Sequence, residues 1–139
     1  VRQGTQRLTP PERRALRVRS GHAREVILKV DGWVAVWARS VTTHRALKGP
    51  WKALKGLGTR PLAELLFSDT RVSRGALVRH PWRCHGPEHQ AARRATGLGR
   101  QRTPRWARAS VFTHHGQRLR VMEAFAPVSY THLTLPTSD

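Results

Sequence analysis

The chain of 139 residues has the length of one domain, and its 38% hydrophobic residues can bury a moderate core. Its formal net charge of +18 favours anionic partners, but the cations are mostly arginines scattered along the sequence, which fits a solvated basic surface as well as a nucleic-acid-binding one. The single cysteine, Cys84, excludes an internal disulfide and fits a reducing, cytoplasmic compartment, and no apolar run approaches the length of a membrane span.

The first forty residues predict a short helix followed by a β-hairpin. A Thr-Pro-Pro-Glu motif has the pattern of a helix N-terminus, with Thr9 as N-cap and Glu12 at the capping-box position. Asp31-Gly32 is a strong signal for a two-residue turn. It separates the alternating segment 24–30 from the Val- and Trp-rich segment 33–41, so we expect two antiparallel strands.

Arg24 lies at an unusual place in this hairpin. It shares a strand face with Val26, Leu28 and Val30, so its guanidinium is expected to point toward the core or a cavity. Because Arg24 is near the end of the strand, its long side chain could equally reach water.

The middle of the chain predicts more helix. Residues 42–67 have the pattern of two helices, and the second is expected to begin with Thr59 as N-cap and Pro61 in its first turn. Backbone N–H groups near Leu62 would then lie at a helix N-terminus, where anions are favoured. Residues 70–78 predict a strand.

A long polar segment, residues 80–105, is predicted to be a loop. Its His80, Cys84, His85 and His89 have side chains that bind metals, but their spacing matches no standard zinc pattern. We therefore predict no metal site.

The end of the chain predicts a second hairpin, with strands over residues 106–114 and 117–126 joined at His115-Gly116. Two hairpins with helices between them indicate an α+β fold, an antiparallel sheet with flanking helices. We expect residues 1–128 to form a single domain. Residues 129–139 lack arginine and resemble a translated sequencing adaptor, so we expect them to be a non-native tail.

Glu123 is the most informative residue of the last strand. It shares a face with Leu119, Val121 and Phe125, and a buried carboxylate needs a cation, a hydrogen-bond network or a ligand. Two interpretations remain open, a structural ion pair at the sheet and an acid inside a binding pocket.

With both hairpins placed, an ordered set of motifs from Arg24 to Pro127 resembles the chorismate pyruvate-lyase family. The motifs are Arg24-Glu25-Val26-Ile27-Leu28, Asp31-Gly32, Ala38-Arg39-Ser40-Val41, Gly58-Thr59-Arg60-Pro61-Leu62, Leu66-Phe67, Trp106-Ala107-Arg108 and Met122-Glu123-Ala124-Phe125-Ala126-Pro127. The resemblance implies a six-stranded antiparallel sheet without a metal or organic cofactor. It also implies removal of pyruvate from chorismate to give 4-hydroxybenzoate, a precursor of the ubiquinone ring.

The resemblance implies roles for three residues. Arg24 falls where the family binds the ring carboxylate, Leu62 on a pocket residue at the start of a helix, and Glu123 on the carboxylate that faces the ring hydroxyl. Three departures are visible, and one is that the segment 80–105 is longer than in the most compact members of the family. The family's N-terminal part, with a helix and an apolar pocket residue, is expected to be missing before Val1, and Ala109 replaces an arginine of the family motif.

Two other classes of function remain to be considered. The effector domains of some winged-helix transcription regulators share the lyase fold and bind small molecules without catalysis. The charge alone suggests a nucleic-acid binder, but no RNP-like, zinc-finger or KH signature supports it. We therefore expect a monomeric enzyme acting on a small molecule, with no specific nucleic-acid partner.

Overall fold

The computed structural model describes residues 1–127, so the expected tail over residues 129–139 lies outside the described part. The strands and helices are, in chain order, β1 (Arg2–Arg7), α1 (Pro10–Leu16), β2 (Ser20–Val30), β3 (Trp33–Thr42), α2 (His44–Leu47), α3 (Leu62–Phe67), β4 (Ser73–Arg74), β5 (Val78–Pro81), α4 (Pro87–Thr96), β6 (Trp106–His114) and β7 (Gln117–Phe125). A 3-10 turn, Lys52–Leu54, lies between α2 and α3. Within the described residues, no helix is both long and apolar enough to cross a bilayer.

The strands form one antiparallel sheet in the order β1-β2-β3-β7-β6, with both β4 and β5 paired to the outer edge of β6. The predicted α+β class with an antiparallel sheet is confirmed. The family resemblance implied six strands, whereas the described residues form a 7-stranded sheet because two short strands share the sixth position.

Both predicted hairpins are present, and their turns explain why. Asp31 and Gly32 have φ of 51° and 81°, and His115 and Gly116 have φ of 49° and 74°. Two consecutive residues with positive φ match the right-handed twist of the strands that they join. Helix α1 also begins as predicted, with the Thr9 backbone N–H donating to Glu12 Oε1 at 2.9 Å.

The two faces of the sheet are covered by different helices, so each carries its own core. The face covered by α2, the 3-10 turn and α3, here called the α3 face, buries Ala46, Trp51, Leu54, Leu57, Leu66, Phe112 and Leu119. On the opposite face, here called the α4 face, the cluster against α4 consists of Trp37, Ala92, Ala107, Ala109, Met122 and Ala124. Leu8, Leu16, Ala23 and Val41 form a smaller cluster beside α1. The last strand is therefore buried on both sides.

Two predicted segments are wrong in detail, and one strand was not predicted. The region 42–67 contains only short helices, and the N-cap of α3 is Pro61, not Thr59. The predicted strand 70–78 is instead the two short strands β4 and β5. The structure also contains β1, which the sequence analysis did not assign.

The predicted loop over residues 80–105 contains α4. Gly86 is its N-cap, Pro87 is its first residue, and Gly97 with φ of 71° ends it. This is the usual pattern of proline at the start and glycine after the end of a helix. Because the segment is highly polar, the sequence analysis did not recognise these helix ends.

Candidate functional site

Arg24 is buried on the α3 face, which decides between the two orientations that the sequence left open. It lies opposite Ser40 of β3 and is 4% exposed. Its Nη2 donates to the carbonyl oxygens of Gly58 and Arg60, each at 3.0 Å. Burial lowers the pKa of this guanidinium, and its buried Nε has no hydrogen-bond partner among the described residues. An unpaired donor on a buried cation is costly unless a ligand accepts from it.

Leu62 follows the loop that binds Arg24, because α3 starts two residues after Arg60. Leu62 is the first residue of α3 and packs, half-buried, against the core cluster of the α3 face. The loop that ends at Pro61 therefore joins the Arg24 guanidinium to the start of the helix. The two residues that the family resemblance marked are brought to one place.

The third residue, Glu123, forms an ion pair. Its Oε1 lies 3.0 Å from Nε of Arg108, which is directly opposite on β6, and the two side chains are 36% and 44% exposed. The Arg108 guanidinium also lies over the Phe125 ring, 5.1 Å from its centroid. Glu123 is therefore only partly buried, and in this structure the ion pair satisfies its carboxylate.

Arg24 and Glu123 lie on the same sheet face with one strand between them. Arg24 is paired through Ser40 with Val121, two residues before Glu123. With about 4.8 Å between strands and about 3.4 Å per residue, their Cα atoms are about 12 Å apart. Glu123 pairs with Arg108 and Arg24 with backbone carbonyls, so neither side chain bonds to the other in this structure.

Aromatic residues extend this face beyond Glu123. The rings of Trp106 and Phe125 are stacked, with centroids 4.7 Å apart, and the Arg79 guanidinium lies 4.6 Å from the centroid of the Trp106 ring. The sequence analysis did not mark Trp106 or Arg108 as site residues. The alternation of β6 could have found them, because they share the face that pairs with Phe125 and Glu123.

Not every apolar residue expected on the Arg24 face is buried. Leu28 is 50% exposed and Val30 57% exposed, so the apolar stripe that was assigned to the Arg24 face is covered only in part. The pairing of β2 with β3 shifts between Leu28 and Lys29, where an irregularity of the bulge type bends the hairpin tip away from the core.

Three of the four candidate metal ligands come together. Ligand atoms of Cys84, His85 and His89 lie within 4.8 Å of one another, whereas His80 lines a different cavity. His89 Nδ1 already accepts the His85 backbone N–H at 3.1 Å, and burial with nearby arginines, among them Arg105, lowers the pKa of His89. Such a cationic surrounding disfavours a metal ion, so the absence of a metal site stays a prediction.

The site thus combines a buried arginine, held by carbonyls that precede α3, with a carboxylate on the same sheet face. The chain belongs to the chorismate lyase family: the sequence profile of that family, described as chorismate lyase, matches residues 2–134. The family resemblance of the motifs is thereby confirmed.

The curated relatives agree with this assignment. A probable chorismate pyruvate-lyase of Albidiferax ferrireducens is 41% identical over 131 residues, which cover 89% of this chain and 66% of the relative. One from Azoarcus sp. is 42% identical over 132 residues, 91% of this chain and 70% of the relative. The chain thus spans about two thirds of the length of the curated relatives that it matches.

A solved structure shows the same fold. It is the ligand-binding domain of a putative GntR-family transcriptional regulator from Bordetella bronchiseptica, with a TM-score of 0.51 and 16% sequence identity. The match covers 90% of this chain and 81% of that one. At this identity the likeness concerns the fold alone.

Proposed function

We propose that this chain carries the chorismate-binding site of a chorismate pyruvate-lyase and releases 4-hydroxybenzoate and pyruvate. The observation that carries the proposal is Arg24, a buried guanidinium with a free Nε on the sheet face that also holds Glu123. Chorismate is a dianion with a ring carboxylate, and a desolvated guanidinium binds such a group by charge-assisted hydrogen bonds.

The two carbonyls that bind Arg24 orient it for this role. They occupy both hydrogens of Nη2, so the guanidinium plane is held while Nε faces the ligand. Leu62, at the start of α3, contributes an apolar wall on the same side, and its backbone lies where the first turn of the helix presents N–H groups. The ring carboxylate is therefore fixed at the Arg24 end of the site.

Glu123 lies at the other end and accepts a hydrogen bond from the ring hydroxyl. In the reaction the ether bond to the ring breaks, and the hydroxyl-bearing ring carbon loses its proton as the ring becomes aromatic. The enolpyruvate that leaves takes up a proton at its methylene carbon and becomes pyruvate. Because aromatisation drives the reaction, the protein has mainly to orient the ring and guide that proton.

Arg108 supports this arrangement by holding the Glu123 carboxylate at 3.0 Å from its Nε. The pair stands at the open end of the site, where Trp106 and Phe125 stack. A chorismate ring whose carboxylate binds Arg24 would extend along the face of the sheet to Glu123. Its ether oxygen would then lie on the side of these aromatic residues.

The test is 4-hydroxybenzoate release from chorismate, followed by chromatography, for the chain and two variants. Glu123→Gln keeps the shape but removes the charge, and we expect its rate to fall at least about tenfold. Arg108→Met should lower the rate less, because Glu123 stays in place without its partner. An unchanged rate in Glu123→Gln would return Glu123 to a structural ion pair.

Binding without turnover would point to a different function. The ligand-sensing domains that share this fold bind small molecules, and the likeness of fold does not discriminate between the two. If 4-hydroxybenzoate bound tightly but chorismate stayed intact over hours, the lyase proposal would be wrong for this chain.

A further inference from the structure

A cavity lies on the α4 face of the sheet, between α1 and α4. Its volume is about 120 Å³. Its walls are formed by Thr9, Pro11, Glu12, Arg14, Trp37, Arg39, His80, Pro81, Trp82, Glu88, Ala91, Ala107, Arg120 and Met122. Since Arg24 and Glu123 belong to the opposite face, this cavity is separate from the candidate lyase site.

Arg120 is the residue of this cavity that lacks a partner. It is 7% exposed, lies between Val41 and Val111 in the sheet, and makes no side-chain hydrogen bond or ion pair within residues 1–127. Burial lowers the pKa of this guanidinium. None of its nitrogens is among the fully enclosed atoms that lack a partner, so the guanidinium opens into the cavity, where a ligand can replace water as the acceptor.

Two of the nearby carboxylates, Glu12 and Glu25, are already engaged by Arg39, whereas Glu88 attracts Arg120 without a hydrogen bond. Arg39, on the same face, donates to both oxygens of Glu12 at 2.6 and 3.1 Å, and to Glu25 at 2.8 Å. Glu12 also accepts the Thr9 backbone N–H. Arg120 feels the field of Glu12 but gains no hydrogen bond from it.

The charges around the cavity favour a monoanion over a dianion. Arg14, Arg39 and Arg120 line it together with Glu12 and Glu88, and Glu25 pairs with Arg39, so the charges balance before a ligand binds. His80 adds no further charge near pH 7, because burial and the nearby arginines lower its pKa. A dianion such as hydrogen phosphate would be repelled by the two carboxylates.

The rest of the wall is apolar. Trp37 and Trp82 meet edge to face with ring centroids 6.3 Å apart, and Met122 and Ala91 complete that side. A cavity with a guanidinium at one end and aromatic rings at the other suits an anion that has a short apolar part. We propose that this cavity binds a small organic monocarboxylate, with Arg120 as the residue that anchors the carboxylate.

The proposal can be tested with acetate and the full chain. Saturation-transfer NMR on the acetate methyl group would measure binding, with sodium chloride replaced by sodium acetate so that the ionic strength stays constant. We expect saturable binding by the wild type and at least a tenfold weaker dissociation constant for Arg120→Met. Arg94→Met removes an exposed cation of α4 as a matched control and should change nothing.

Thermal melting distinguishes a ligand site from a structural role. Without acetate, Arg120→Met should melt at the wild-type temperature or above it, because an apolar side chain of similar length replaces an unpaired buried charge. Arg120→Lys keeps the positive charge but loses the planar guanidinium group. It should bind acetate more weakly than the wild type and more tightly than Arg120→Met. The proposal is overturned if wild-type binding does not saturate, if Arg120→Met binds as the wild type does, if that variant melts well below it, or if inorganic phosphate binds as tightly as acetate.

Discussion

Replacing Arg24 with alanine tests the main assumption behind the candidate lyase site, which is that the buried Arg24 guanidinium binds a ligand. In the structure, two carbonyls occupy Nη2 at 3.0 Å and the buried Nε has no partner among the described residues. A carboxylate that accepts from Nε would gain one charge-assisted hydrogen bond, worth about 1.5–3 kcal/mol. Arg24→Ala should therefore weaken 4-hydroxybenzoate binding about ten- to 150-fold.

Calorimetric titration with 4-hydroxybenzoate measures this loss directly. Arg24→Lys, which keeps the charge without the planar fork, should lie between the wild type and Arg24→Ala. Arg93→Ala is the matched control, because Arg93 is an exposed arginine of α4 and exposed charges are screened at physiological salt. Equal losses for Arg24→Ala and Arg93→Ala would refute the assignment, since general attraction by the basic surface would then explain the binding.

Three further predictions concern stability and metal binding. Glu12→Gln should lower the free energy of unfolding by about 3 kcal/mol in urea denaturation, because it breaks the buried ion pair with Arg39 and leaves part of that positive charge without a carboxylate partner. A loss below about 1 kcal/mol would contradict this prediction. Burial, His44 and Lys55 lower the pKa of His22, so the unfolded state takes up the proton first as the pH falls below about 6.5. The melting temperature should therefore fall between pH 7.5 and pH 5, and a steep fall that persists in His22→Gln would exclude this origin. Chelators should leave melting and activity unchanged, whereas stoichiometric zinc that is lost in Cys84→Ser would overturn the expectation of no metal.

The parts of the fold that follow from local chemistry could be read from the sequence. The two hairpins rest on turns of two residues, and the capping box of α1 spans only Thr9 to Glu12. Each signal acts over a few residues, so no knowledge of distant partners is needed. The sheet class follows from these elements.

Other parts depend on partners far away in sequence. β1 is polar, with the sequence Arg-Gln-Gly-Thr-Gln-Arg, and is a strand because it pairs with residues 20–25 of β2. α4 buries mainly His89 and Ala92, so its stripe of small residues was too weakly hydrophobic to stand out. Neither pattern shows the usual periodicity of its element.

The sequence indicated which residues belong to the candidate site, but not which contacts they make. The position of Arg24 on an apolar strand face left burial and contact with water equally open, and the structure shows that it is buried. The ion-pair partner of Glu123 could not be predicted, because only the register between β6 and β7 places Arg108 opposite Glu123. The cavity at Arg120 requires α1, α4 and the sheet together, and no single segment indicates it.

The alternation of polar residues along β2 and β3 restricts how this protein can evolve. Arg24 and Ser40 point to the α3 face, whereas their neighbours Glu25 and Arg39 point to the α4 face. Inserting or deleting one residue before Arg24 within β2 would turn the side chains of the shifted residues to the opposite face of the sheet. Arg24 and Glu25 would then each lie on the face where the other is needed. The irregularity between Leu28 and Lys29 lies beyond these residues, so we expect natural length variation to be confined to the hairpin tip, where it leaves the parity of the strand intact.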